Sequence, residues 1–213
     1  MAYFPFMIDI QDKDCLVVGG GKIAYRKILS LIEYGANVTV VATSICDDIV
    51  KLSLDNSKVL GLYEREYADK DVDGRFLVIA ATGIEELDRY ISDRCKLQGI
   101  LVNAVDVTDA CSFIFPAIIK KNDLVISIST GGNSPAGAAY LRKKIEKAVP
   151  RGYELNLSIL GECRKIVMDR IDNMSDRKEF YYQVLQYCDN NNFVLTKEML
   201  MEHIDKFLKK KEK

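Results

Sequence analysis

The sequence predicts an α/β fold: a Rossmann-type, doubly wound parallel sheet, then a small β-hairpin and a helical end. Three observations predict it. Short β-branched runs alternate with amphipathic helical patterns as far as Asp109. The glycine run in "VVGGGKIAYRK" (17–27) joins the first such run to the first helix. The runs are apolar at consecutive positions, as in strands buried on both faces of a parallel sheet.

The elements follow in order. "CLVVG" is the first strand, and "KIAYRKILSLIEYGA" after it gathers Ile23, Ile28, Leu31 and Ile32 on one helical face. Gly35 ends that helix, as glycine does just past a C-cap. "NVTVVAT" is a second strand, "IVKLSLDN" a helix and "SKVLGLY" a third strand. "RFLVIAAT" is the fourth strand, "IEELDRYISDRCKLQG" a helix ending in glycine, and "ILVNAVD" the fifth strand.

The pattern then changes. "SFIFPAII" and "LVISIS" are apolar runs separated by "KKND", a hairpin with Asn-Asp at its turn. Ser134 and Pro135 are a suitable N-cap and first residue for the helix that follows. From Arg151 the pattern is helical: Leu155, Ile159, Ile166 and Met168 mark one segment, and Phe180, Val184 and Leu185 a second. Met199, Leu200, Ile204, Phe207 and Leu208 mark the last, with Thr196 as its N-cap. The expected domains are 1–112 (dinucleotide-binding), 113–149 (dimerisation module) and 150–213 (helical).

The glycine run has a chemical reading. Gly19, Gly21 and Ala24 satisfy G-x-G-x-x-G/A between a strand and a helix, the context a dinucleotide fingerprint requires. Gly19 permits the turn, Gly21 lets backbone approach a pyrophosphate, and Ala24 lets the helix pack closely. Helix N-terminal N–H groups then face the anion. The acidic residue expected after the second strand is missing: that strand ends in Thr43 and Ser44, and no arginine follows to receive a 2′-phosphate. Hydroxyls and backbone are therefore expected at the adenosine end. Thr82 closes the fourth strand and is expected either to touch the cofactor or to cap the strand end.

Composition narrows the classes. Thirty basic and 31 acidic side chains give no electrostatic footprint for nucleic acid. The lysines of "KFLKKKEK" read as a solvated helix end. Six cysteines are dispersed without a CxxC or a Cys/His cluster, which points to reduced thiols, a cytoplasmic setting and no resident metal. His203, the sole histidine, reads as packed or superficial. There is no leader-like N-terminus and no apolar run of membrane-spanning length.

Three stretches carry a resemblance. "FPFMIDIQDKDCLVVGGGKIAYRK", "VNAVDVTDACSFIFPAII" and "ISISTGGNSP", in this order and spacing, resemble the precorrin-2 dehydrogenase/sirohydrochlorin ferrochelatase family of sirohaem synthesis. The resemblance implies transfer of a hydride from precorrin-2 to NAD⁺, giving sirohydrochlorin, with Fe²⁺ inserted by some members as a transient substrate. It implies a homodimer interlocked through the hairpin module, with the active site between domains. It assigns cofactor contacts to Lys22, Ile23, Thr43 and Ser44, and the key aspartate to Asp106. A serine phosphorylated in some relatives corresponds to Thr130, beside Ser129. The methyltransferase domain fused to some relatives is not expected in a chain ending at 213.

Asp106 also follows from its position. It lies just past the fifth strand, at the carboxyl edge where open α/β sheets bind ligands. One positioned general base suffices to take the proton released on oxidation. The competing readings are a turn aspartate capping "VDVTDA", with Asp109 as the rival base. In the second glycine loop, Ser129, Thr130, Gly131, Gly132, Asn133 and Ser134 offer N–H groups and hydroxyls that suit a substrate carboxylate, or serve only to turn the chain into a helix. A function of another class, a dinucleotide-sensing regulator, would use the fingerprint without chemistry. It would need an output module, for which the sequence offers no basic helix.

Overall fold

A computed structural model describes residues 3–211; Met1, Ala2 and the last two residues of the lysine-rich end, Glu212 and Lys213, lie outside the described residues. The chain divides into two compact units, one through Phe115 and one from Pro116.

The first unit is the predicted parallel sheet. Its elements are β1 (Asp14–Val18), α1 (Lys22–Glu33), β2 (Asn37–Ala42), α2 (Asp47–Asp55), β3 (Leu60–Glu64), β4 (Leu77–Ala80), α3 (Glu85–Leu97) and β5 (Leu101–Ala104). The strand order is β3-β2-β1-β4-β5, and every neighbouring pair is parallel. Successive residues of β1 point to opposite faces. Leu16 and Val18 join Ile91 and Cys95 of α3 in one core cluster. Cys15 and Val17 join Ala24, Ile28 and Leu31 of α1 and Ile49 of α2 in the other. Two-sided burial is why the strands read as continuous apolar runs. The chain winds outward from β1 to β3, then returns to β4 on the other side of β1. The carboxyl ends of β1 and β4 thus form the switch point.

Gly35 ends α1 as predicted, at a φ of 80°. The third strand begins later than expected: Ser57–Val59 turn after α2, and pairing starts at Leu60.

The second unit opens with β6 (Ala117–Lys121) and β7 (Leu124–Ile128), an antiparallel pair turning at Asn122 and Asp123. Only the last three residues of "SFIFPAII" are strand. Pro116 has no N–H for a ladder, and the Phe113 and Phe115 rings, 5.3 Å apart, join the core cluster of α1 instead. Asn103 Nδ2 donates to the Phe113 carbonyl at 3.1 Å and holds that stretch down. Four helices follow α4 (Pro135–Ala148) where three patterns were read: α5 (Tyr153–Glu162), α6 (Arg164–Arg170), α7 (Met174–Asn190) and α8 (Lys197–Lys211). The first pattern breaks at Cys163, so Leu155, Ile166 and Met168 stay exposed while Leu160 and Val167 enter the core. Phe180, Val184, Leu200, Ile204 and Phe207 complete that core. Both predicted caps form: Ser134 Oγ accepts from Gly137 N at 3.0 Å, and Thr196 Oγ1 from Met199 N at 3.2 Å. Lys211 is not merely solvated, because its ammonium bonds Asp176 at 2.8 Å and Glu179 at 2.9 Å on α7.

Candidate functional site at the sheet switch point

A cleft of about 490 Å³ opens over the carboxyl ends of β1, β2, β4 and β5. Its wall includes Gly19, Gly20, Gly21, Lys22 and Ile23 after β1, and Thr43 and Ser44 after β2. Thr82 and Gly83 follow from β4, and Asp106 from β5. All of the residues expected to bind cofactor, and the expected base, therefore reach one cavity. The loop 129–134 lies in the second unit, between β7 and α4.

The three consecutive glycines do three different things. Gly19 has a φ of 128°, and a Cβ there would lie 2.1 Å from the Ala81 carbonyl oxygen. A Cβ on Gly20 would lie 2.1 Å from the Ser44 carbonyl oxygen, in the loop after β2. Gly20 also accepts from Cys46 N at 2.9 Å, so this glycine fastens the two loops together. A Cβ on Gly21 would meet nothing within 4 Å. Space for a ligand thus lies at Gly21, while Gly19 and Gly20 permit close backbone packing. Gly21 is also the N-cap of α1. No side chain caps this helix, and no acidic residue stands in its first turn. Its N-terminal N–H groups are left for an anion. Open space, free donors and a positive dipole end fit a dinucleotide pyrophosphate.

The opposite wall is differently built. Asp88, in the first turn of α3, is only 2% exposed. Its Oδ1 accepts from Thr82 N at 3.1 Å and from Thr82 Oγ1 at 2.8 Å. Burial pushes the Asp88 carboxyl pKa up; the bonds from Thr82 and Gly83 oppose this, and the nearby Asp106 charge adds to it. Thr82 Oγ1 in turn accepts from Ile84 N at 3.1 Å. The Thr82 hydroxyl therefore serves the loop while its residue lines the cleft.

Asp106 sits in the left-handed region at a φ of 62°, a conformation aspartate tolerates better than most residues. Its carboxylate is exposed and makes no hydrogen bond or ion pair among the described residues. The rival, Asp109, is engaged. Arg89 holds it through two bonds of 2.7 and 3.1 Å, which keeps its carboxyl below the usual range. Of the two candidate bases, the free one is in the cleft.

Sequence reading missed Asp88 and Arg65. A carboxylate in a first helical turn is an ordinary capping signal, so nothing distinguished Asp88 from Glu85 and Glu86. No arginine follows β2 directly, but one reaches the cleft from the next strand. Arg65 follows β3, and its N–H bonds the Ala42 carbonyl at 2.8 Å, which puts it beside the end of β2 and in the cleft wall. The hydroxyls of the 129–134 loop are used locally. Gly131 N donates to Ser129 Oγ at 3.1 Å, and Ser134 N donates to Thr130 Oγ1 at 3.2 Å.

A family model described as NAD(P)-binding matches residues 6–117. The chain belongs to this NAD(P)-binding family. A second model, for the central part of sirohaem biosynthesis proteins, matches residues 121–148. The resemblance drawn from the three sequence stretches is borne out by both models and by curated relatives. A siroheme synthase of Ruthia magnifica is 38% identical over 85% of this chain and 38% of its own length. A siroheme synthase of Thioalkalivibrio sulfidiphilus is 37% identical over 87% of this chain and 38% of its own. The chain thus spans well under half the length of these relatives. Among solved structures, SirC, a precorrin-2 dehydrogenase, superposes with a TM-score of 0.72 at 23% identity, covering 97% of this chain and all of that one. That likeness bears out the fold: parallel sheet, hairpin and helical end.

Proposed function

We propose that the protein is an NAD-dependent dehydrogenase that oxidises precorrin-2 to sirohydrochlorin. The observation that carries this reading is one cleft with an uncapped, glycine-lined helix N-terminus on one wall and a free carboxylate on the other. The relatives supply the substrate class, since those compared above are named siroheme synthases.

Each residue then has a task. The backbone around Gly21, Lys22 and Ile23 would hold the pyrophosphate, and Thr43 and Ser44 would meet the adenosine ribose. The Thr82–Gly83 turn, held by Asp88, would shape the opposite side. When bound, NAD⁺ supplies the two-electron acceptor. Asp106 accepts the proton that leaves precorrin-2, so that precorrin-2 and NAD⁺ give sirohydrochlorin, NADH and a proton. Ser129 to Ser134 would hold a substrate carboxylate. Insertion of Fe²⁺ belongs to the same proposal, with iron as substrate and Asp106 as acceptor of the pyrrole protons.

The proposal extends to assembly and setting. β6 and β7 are a two-stranded sheet, which is marginal alone. An apolar hollow of about 240 Å³ opens beside them, lined by Leu124, Ile126, Ile145, Val149 and Tyr153 among others. A second copy of the module 113–149 would cover it, apart from the helical domain 150–213. Light scattering should give a dimer at micromolar concentration; a stable monomer refutes this part. A cytoplasmic setting accords with the six cysteines, all free. No helix among the described residues is long and apolar enough to cross a membrane.

The deciding experiment mixes the protein with precorrin-2 and NAD⁺ and follows absorbance. Appearance of sirohydrochlorin and NADH together is expected. A dinucleotide sensor would leave both spectra unchanged, and that result overturns the proposal. Repeating the assay with Fe²⁺ tests chelation.

A further inference from the structure

The adenosine end of the cleft carries an unexpected cation. In dinucleotide folds the ribose 2′ position lies at the end of the second strand, where an acidic residue selects NAD and an arginine admits the 2′-phosphate of NADP. Here β2 ends at Ala42, and Thr43 and Ser44 follow it without a carboxylate. β3 runs beside β2 with Ala42 paired to Glu64, so the next residue, Arg65, stands at the same edge. Both Ser44 and Arg65 line the cleft.

The Arg65 guanidinium is fixed, and its bonds can be counted. Nη1 donates to the Glu66 carbonyl at 2.9 Å and to Asp71 Oδ2 at 2.8 Å. Nη2 donates to Asp71 Oδ1 at 2.6 Å. Asp71 is itself held, since its Oδ2 accepts from Ala68 N at 2.9 Å and its side chain is 7% exposed. A guanidinium has five N–H donors in a rigid plane. Three are used, which leaves Nε–H and the second proton of Nη2. These two lie side by side along one edge of the plane and form the fork that grips two oxygens of a phosphate. The Arg65 side chain is 41% exposed, so the fork is not sealed in.

We infer that Arg65 is a specificity-determining residue that receives the 2′-phosphate, so that the cleft takes NADP⁺ as well as NAD⁺. The inference rests on the reading of the cleft as a dinucleotide site. With no acidic residue directly after β2 to claim the ribose hydroxyls, and with the Asp71 carboxylate engaged end-on by Arg65 so that the Nε–H/Nη2 fork is pre-set, the 2′ position admits either group.

Calorimetry with NAD⁺ and NADP⁺ separately, on the unmodified protein, tests both layers. NADP⁺ binding within tenfold of NAD⁺ is expected. Arg65→Leu should lose at least tenfold more affinity for NADP⁺ than for NAD⁺. Arg65→Lys, which keeps the charge without the fork, should fall between the two, and it serves if loss of the Asp71 partner unfolds the leucine variant. NAD⁺ binding with NADP⁺ weaker by more than tenfold overturns this inference and leaves the dinucleotide site standing. Equal losses of both ligands in Arg65→Leu also overturn it, assigning Arg65 to the shared adenosine or to the wall. Failure to bind either ligand overturns the dinucleotide site itself.

Discussion

Two helices begin at the same edge of the sheet and face the same cleft, yet their first turns differ. α1 starts at a glycine, has no side-chain cap and carries no acidic residue in its first turn. α3 carries Glu85, Glu86 and Asp88 there, and Asp88 bends back onto Thr82. Neither helix has a side-chain cap, but carboxylates in the first turn offset the positive end of the α3 dipole, and none does so at α1. The α1 end is therefore the more favourable of the two for an external anion. The cleft is polarised: donors gather on the β1 and β2 side, and carboxylates on the β4 and β5 side. The proposed function assigns a dinucleotide phosphate to the first side and a departing proton to the second.

The largest test of this contrast is Asp106→Asn, which removes the free carboxylate and keeps its size. Turnover of precorrin-2 should fall by roughly a hundredfold to ten-thousandfold, the usual contribution of a general base. NAD⁺ affinity, measured by calorimetry, should hold. Near-wild-type turnover would move the base elsewhere, the substrate's own carboxylates being the next candidates.

Gly21→Asp would make α1 resemble α3. The backbone there is extended, with a φ of −88° and a ψ of −174°, and the space is open, so the fold should survive. The new carboxylate would compete with the pyrophosphate for the same donors. NAD⁺ affinity should drop on the order of tenfold or more. Unchanged binding would refute the cradle.

Asp88 tests the other helix. Asp88→Ala leaves Thr82 N without its acceptor and should cost about 1–3 kcal/mol in denaturant unfolding. Asp88→Asn keeps an acceptor and removes the titration. The Asp88 carboxyl pKa lies above its ordinary 3.8, so the folded protein keeps this proton to higher pH than the unfolded chain does. Stability from that proton is full below 3.8 and is lost as pH rises through the folded pKa. Tm of the Asn variant relative to wild type should therefore rise as pH climbs from the acid range, and a flat difference would contradict the burial argument.

The smallest effect lies on the body of α1. Lys27 packs 3.7 Å from the Phe115 ring centroid, and burial lowers its ammonium pKa to about 8 from 10.5. Folding there favours the neutral amine, so stability is present above 10.5 and lost as pH falls toward 8. Against Lys27→Met, wild type should gain stability between those two values and show no such gain below them. Activity at neutral pH is the control that separates this helix body from its functional N-terminus.

Much of this was legible in the chain. β1, β2, β4 and β5 were readable because burial on both faces leaves unbroken apolar runs such as "CLVV" and "LVIA". Ser134 and Thr196 announced their caps because capping depends on a few adjacent residues. The reading faltered at "SFIF", where apolar character marked core and not strand, and where Phe113 and Phe115 found partners on α1. It faltered again at Cys163, where one apolar pattern runs through two helices. Position favoured Asp106 but left Asp109 as a rival; the structure separates them, because the distant Arg89 holds Asp109 while Asp106 lines the cleft.

The sequence by itself determined most of the strands, that a glycine run joins the first strand to the first helix, and which family the motifs belong to. These depend on neighbours within a few residues, where periodicity and turn chemistry act. The tertiary structure alone decided who shares the cleft. Setting β3 beside β2 brings Arg65 into the same cleft wall as Ser44, and setting β4 beside β1 brings Thr82 and Asp88 into the cleft with Gly21. Parallel pairing collects the carboxyl ends of strands far apart in the chain at a single edge. That juxtaposition depends on strand order, which no local pattern of side chains records.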